Sequence, residues 1–252
     1  MDVQEYLDRI GAARPPVPSL AALRELQRRH LETVPFENLA ITLGEAIELG
    51  EEALSGKLVR RRRGGICYEL NGAFAVLLRA LGFDVRLLGG RVWRREGGFG
   101  PPLDHLALRV DLGEPWLADV GFGRFSLRPL PLVDGAVQDD PAGRFEIRAA
   151  PRGDLDVLLD GGVVYRLEQR PRELAEFEAM AWWHSTSPRS RFTGGPTCSL
   201  ATPGGRITLA GDRLIETVAG QRTERRLASD AEVLAAYREH FGIVLDRVPR
   251  AV

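Results

Sequence analysis

Apolar positions in the first third of the chain recur at helical spacing, and those of the middle third come in short runs broken by turn residues. Leu20, Leu23, Leu26 and Leu31 form one stripe, Ser19 stands where a helix cap belongs, and Pro15-Pro16-Val17-Pro18 sets its start. After Gly64-Gly65 a second stripe, Leu70, Phe74, Leu77, Leu78 and Leu81, predicts another helix that Gly82 can end. The intervening Val34-Pro35-Phe36-Glu37-Asn38-Leu39 reads as a turn or irregular segment.

From Phe83 the pattern changes to Val- and Leu-rich runs separated by Gly-Gly, Pro-Pro and Asp-Gly. Val85 to Leu88, His105 to Val110, Trp116 to Val120 and Val157 to Leu159 are predicted strands of a barrel or sandwich. A helical stretch over Glu173 to His184 then leads into strand signals at Cys198 to Leu200 and Arg206 to Leu209. Ser229-Asp230-Ala231-Glu232 has the spacing of a capping box and opens a final helix through Leu234 and Tyr237. The expected division is 1-82 as a helical bundle, 83-186 as a β-barrel and 187-252 as a smaller α/β module.

Composition narrows the class rather than the fold. With 34 basic against 35 acidic residues there is no overall field for nucleic acid or an anionic membrane. Met1 to Ile10 lacks the basic-then-apolar plan of a signal peptide, and no apolar run has the length of a membrane span. Cys67 and Cys198 are too few for a disulfide framework or a cysteine-rich zinc site, so no metal is expected and a reducing cytoplasm fits best.

Chemistry enters with three residues. Arg63-Gly64-Gly65-Ile66-Cys67 puts Cys67 at the first turn of a predicted helix, where free N–H groups and the helix dipole favour a thiolate. The alternative is a small buried hydrophobe. His105 lies off the aliphatic face of its strand, and Asp119 closes the next one in an otherwise apolar run. Pairing of these strands about Gly113 would set Ala107 opposite Asp119 and His105 diagonal to it on the same face, within hydrogen-bond reach. A register slip of one residue would separate them, leaving an edge histidine and a turn aspartate. A thiolate nucleophile needs an imidazole beside it, and the imidazole needs an orienting acceptor.

At these residues the sequence resembles the arylamine N-acetyltransferase family. The matching segments are Val34 to Leu39, Arg63 to Gly72, Leu81-Gly82-Phe83, His105 in its strand, Asp119 to Gly123, Ser187 to Phe192 and Gly205 to Leu209. The resemblance implies an α+β protein: an N-terminal helical bundle, a central β-barrel and a C-terminal α/β lid, with a papain- or transglutaminase-like triad of Cys67, His105 and Asp119. It implies acetyl-coenzyme A (acetyl-CoA) as donor and an arylamine or hydrazine as acceptor, with Gly121, Phe122 and Gly123 lining the acyl and coenzyme cleft. Phe36 and Phe192 would form the acceptor pocket. Asp104 departs from the family's pattern and would either favour a positively charged or hydrogen-bonding acceptor or be solvated. An amide synthase on the same scaffold, and a cysteine hydrolase or transglutaminase, share the triad. Arg63 is expected to pair with an acid such as Glu37, and Cys198, His30, His184 and His240 are expected to be structural.

Overall fold

The computed structural model describes residues 1–251, and three of its helices begin where capping residues stand. Asp2 accepts from the backbone of Gln4 and Glu5 to open Val3–Ile10, and Ser19 accepts from Ala22 to open Leu20–Thr33. Ser229 accepts from Glu232 at the head of Asp230–Phe241, while Glu232 reaches back to the amide of Ala228, one residue before the box predicts. The helix after the paired glycines runs Cys67–Ala80 and ends before Gly82, whose φ of 88° is the left-handed turn that glycine tolerates.

The stretch expected to be helical from Glu173 starts later. Leu174–Phe177 forms a tight 3-10 turn that buries Phe177 against Tyr68, and the α-helix proper is Glu178–Thr186. Among the described residues no helix is long and apolar enough to cross a membrane.

Two sheets complete the fold. A nine-stranded sheet closes nearly into a barrel. Its path runs from Leu130–Pro131 through Pro115–Ala118, His105–Asp111, Asp84–Arg94, Gly162–Arg172, Leu155–Leu159 and Gly143–Ala149 to Val137–Asp140, with Gly98–Phe99 paired onto Asp84–Arg94. The smaller sheet orders Phe36–Glu37, Thr197–Thr202, Gly205–Ala210, Arg213–Val218 and Gln221–Arg226. Phe36–Glu37 therefore joins a sheet formed by the last quarter of the chain, with Phe36 opposite Ser199 and Glu37 opposite Cys198.

The hairpin of His105–Asp111 and Pro115–Ala118 has the predicted register: Asp111 faces Pro115 and Leu108 faces Ala118, so pairing is centred on Gly113. Both faces of the first strand are buried. Leu106, Leu108 and Val110 pack with Leu7, Leu23 and Phe74 of the helical core, and Ala107 packs with Leu117, Phe125 and Tyr165 inside the barrel. Each fully buried leucine here stabilises by about 1.5–3 kcal/mol relative to exposure, enough to hold the register against a slip. The third core, around Cys198, Leu209, Leu214 and Tyr237, lies between the smaller sheet and the last helix.

Candidate active site

The loop that delivers Cys67 is locked from below by buried ions. Arg63 Nε donates to Glu37 Oε1 at 3.0 Å, and Lys57 Nζ donates to Glu69 Oε1 at 2.6 Å. The other oxygen of Glu69 accepts from the amide of Ile66 at 3.0 Å, and Glu37 Oε2 accepts from that of Leu39 at 2.6 Å. Arg63 thus pairs with Glu37 as the sequence predicts. The paired glycines are required by close approach: a Cβ on Gly64 would lie 1.9 Å from the carbonyl oxygen of Pro35, and one on Gly65 would lie 2.6 Å from Glu69 Oε2.

His105 Nε2 lies 2.7 Å from Asp119 Oδ2, which leaves Nδ1 as the ring nitrogen available to the nearby Cys67. Burial works against charge on this imidazole, but the Asp119 carboxylate and the thiol contact more than reverse it and push the pKa up to about 10. His105 and Asp119 therefore stand in direct contact, as the sequence pairing requires, with Cys67 close by. All are buried, His105 at 2% exposure and Asp119 at 0%, so neither is the solvated edge residue of the alternative reading.

Asp119 accepts four hydrogen bonds. Besides His105 these come from Asn71 Nδ2 at 2.9 Å, the amide of Gly121 at 2.9 Å and the hydroxyl of Tyr165 at 3.0 Å. Asn71 also donates to the carbonyl of Leu106 and accepts from the amide of Val120, so one side chain fixes the Cys67 helix to both arms of the hairpin. The sequence reading assigned no role to Asn71 or Tyr165. Asn71 lies one helical turn after Cys67 on the same face, a spacing that could have found it; Tyr165 required the sheet order. Tyr165→Phe is expected to stay folded and to lower kcat about tenfold with KM little changed, the worth of one hydrogen bond to a charged group. Steady-state kinetics check this, and an unchanged kcat would mean three donors suffice to hold Asp119.

The glycine-rich exit from the hairpin seats this frame on the helix. A Cβ on Gly121 would lie 2.7 Å from Cys67 Cα, so only glycine lets the two backbones meet. The ring of Phe122 stands edge-on to His105 at 5.1 Å, and Gly123, with φ 88°, packs on Phe36. Phe36 and Phe192 are half-buried neighbours, their ring centroids 6.0 Å apart, and Phe192 packs on His184 at 4.9 Å.

Asp104 takes a place that neither expectation gave it. Its side chain is 1% exposed, Arg94 Nη2 donates to both its oxygens at 3.0 Å, and His184 Nε2 stands 3.2 Å away. Its charge is committed to the strand entry instead of facing solvent or an acceptor. Cys198 is fully buried against Glu37, and burial, reinforced by that carboxylate, pushes its thiol well above the ordinary range. His30 is buried against Tyr6, and His184 is buried among Tyr68, Ser190 and Asp104, while His240 is half-exposed. Among the described residues no group of three or more His, Cys, Asp or Glu is arranged to hold a metal ion.

A helix-borne thiol near a hairpin-borne imidazole and carboxylate, set between a barrel and a second sheet, is the arrangement shared by acyltransferases and hydrolases of the cysteine class. A family model described as N-acetyltransferase matches residues 19–250. The arylamine N-acetyltransferase of Mycolicibacterium smegmatis is 38% identical over 97% of this chain and 93% of its own. Among solved structures, that of the Salmonella typhimurium arylamine N-acetyltransferase superposes with a TM-score of 0.91 at 30% identity, covering 99% of this chain and 94% of its own. The Mycobacterium marinum enzyme in complex with CoA gives 0.88 at 32%, covering 96% and 93%. The chain belongs to the arylamine N-acetyltransferase family.

Proposed function

We propose that this protein acetylates arylamines or hydrazines with acetyl-CoA in two half-reactions, through an acetyl group held on Cys67. The observation that carries the reading is the buried His105 imidazole, bonded to Asp119 through Nε2 at 2.7 Å, with Cys67 at the start of the adjoining helix close enough to help raise its pKa. The CoA complex of the M. marinum relative supports the donor. The reduced, buried state of both cysteines fits a cytoplasmic setting.

In the first half-reaction the Cys67 sulfur attacks the thioester carbonyl, the C–S bond to CoA breaks, and the departing sulfur takes the proton held by His105. In the second, the amine attacks the acetyl-cysteine, gives its proton to His105 and releases Cys67 as the amide forms. Asp119 keeps His105 in one tautomer and stabilises it when charged. The amide of Cys67 leads the helix and has no intrahelical acceptor, so with an amide from Leu103 or Asp104 it serves the oxyanion. Gly121, Phe122 and Gly123 line the path of the acyl group, and Phe36 with Phe192 forms the wall for the acceptor.

Incubation with acetyl-CoA and no amine is expected to add one acetyl group, located to Cys67 by peptide mass spectrometry and discharged by later addition of an arylamine. Double-reciprocal plots should be parallel, and Cys67→Ser should stay unlabelled. An unlabelled wild type whose turnover needs both substrates bound together would overturn the covalent route.

A further inference from the structure

Two guanidinium groups meet without a counter-charge in the cleft between the barrel and the smaller sheet. Arg206, half-buried on the strand Gly205–Ala210, donates through Nη1 to Ser199 Oγ at 2.9 Å. Arg124, exposed just past the glycine-rich exit, lies across the same cleft and reaches only the carbonyl of Ala142 at 3.4 Å. Among the described residues neither has a carboxylate within ion-pair distance, although most arginines of this chain that are even partly buried do, Arg63, Arg94, Arg166 and Arg172 among them. The cleft has a volume of about 450 Å³, and Arg222 on its lip is already paired with Glu224. Burial, with a smaller contribution from the facing Arg124, pulls the pKa of Arg206 down to about 10.

A continuous line of contacts joins this pair to the nucleophile. Gly121 meets Cys67, Gly123 packs on Phe36, Phe36 pairs with Ser199, and Ser199 accepts from Arg206. Arg124 follows Gly121 by three positions, a Cα reach of at most about 11 Å. We propose that Arg124 and Arg206 form the seat for a phosphate group of the acyl donor, at the far end of the pantetheine arm whose thioester lies at Cys67. The inference rests on the acyl-donor reading above. A tetrahedral oxyanion supplies the missing charge, and two planar guanidinium forks facing one cleft match several of its oxygens at once. Removing either fork leaves the thioester's own contacts at Cys67 in place, so the loss should follow the phosphate and not the acyl group.

The test compares donors that share the acetyl thioester and differ in phosphate. For wild type, Arg206→Gln and Arg124→Gln, the rate of Cys67 acetylation per unit donor concentration is measured with acetyl-CoA, acetyl-dephospho-CoA, acetyl-phosphopantetheine and the phosphate-free acetyl-N-acetylcysteamine. The expected result is a fall of about tenfold or more in each variant with acetyl-CoA, against a change of less than about twofold with the phosphate-free donor. The intermediate donors then identify the phosphate: a variant effect that persists with acetyl-phosphopantetheine assigns the one nearest the arm, which a carrier protein also presents, and one lost with acetyl-dephospho-CoA assigns the ribose phosphate. Equal losses with all four donors, or no loss with any, would overturn the seat. Failure of wild type to take acetyl from any of them would instead sink the acyl-donor reading itself.

Discussion

Asp119→Asn is expected to leave a folded protein whose turnover falls by about four orders of magnitude. The carboxylate is approached by four donors, from His105, Asn71, Tyr165 and the amide of Gly121. An asparagine offers one oxygen and one NH2 group, so whichever way the amide turns, a donor faces a donor. If the NH2 faces His105, the ring turns its lone pair to Asp119 and carries its proton on the nitrogen beside Cys67, where a base is needed. The pH dependence of stability gives a second reading of the same variant. The folded His105 is raised to about 10 from an ordinary value near 6.5, so the pair's contribution is complete below about pH 6.5 and is lost as pH climbs through about 10. The melting temperature of wild type should therefore fall as pH rises across that window, and the variant should lack this part of the slope. Near-normal turnover in a folded Asp119→Asn protein would remove the residue from the triad.

Gly121→Ala is expected to lower turnover by about a hundredfold with a modest loss of stability, through one added methyl group. That carbon would lie 2.7 Å from Cys67 Cα, 2.7 Å from Asn71 Nδ2 and 3.0 Å from the carbonyl oxygen of Cys67. Two of the three are backbone atoms at the start of a buried helix, so relief comes only from moving the hairpin and the helix apart. Overpacking of this kind costs about 1–3 kcal/mol. A displacement of order 1 Å between Cys67 and His105 accounts for the lost rate. Gly97→Ala, with no atom within 4 Å of the new carbon, is the control and should be neutral. Circular dichroism, melting temperature and turnover measured together decide the matter; wild-type turnover in Gly121→Ala would mean that the close approach has no bearing on the chemistry.

The parts of the site that local pattern could give were those carried by contiguous residues. The helix start at Cys67 follows from two glycines and an apolar stripe, and the pairing about Gly113 follows from one turn between two apolar runs, so His105 and Asp119 met as the spacing required. Tyr165 escaped because Gly162–Arg172 mixes Val163, Val164 and Leu167 with Arg166, Glu168, Gln169 and Arg170, which masks the alternation of a strand buried on one side only. On one side that strand pairs with Leu155–Leu159, but on the other Tyr165 lies opposite Val92, 73 residues earlier. Phe36–Glu37 reads as irregular because two residues carry no period, and their partners come more than 160 residues later. Asp104 was legible as unusual but not as buried, since Arg94 and His184 reach it from two other elements.

The pairing of Phe36–Glu37 with Thr197–Thr202 also sets the order in which the enzyme becomes competent. The amide of Glu37 donates to the carbonyl of Gly65 at 2.9 Å, so the loop entering Cys67 is hydrogen-bonded to a strand whose other edge is built from the end of the chain. Helices and the Gly113 hairpin close over short loops and form early, whereas this contact spans most of the sequence and closes late. A chain emerging from the ribosome thus carries its thiol past the whole barrel before the loop around it is fixed. The setting of Cys67 depends on strands far along the chain as much as on the helical segment that bears it.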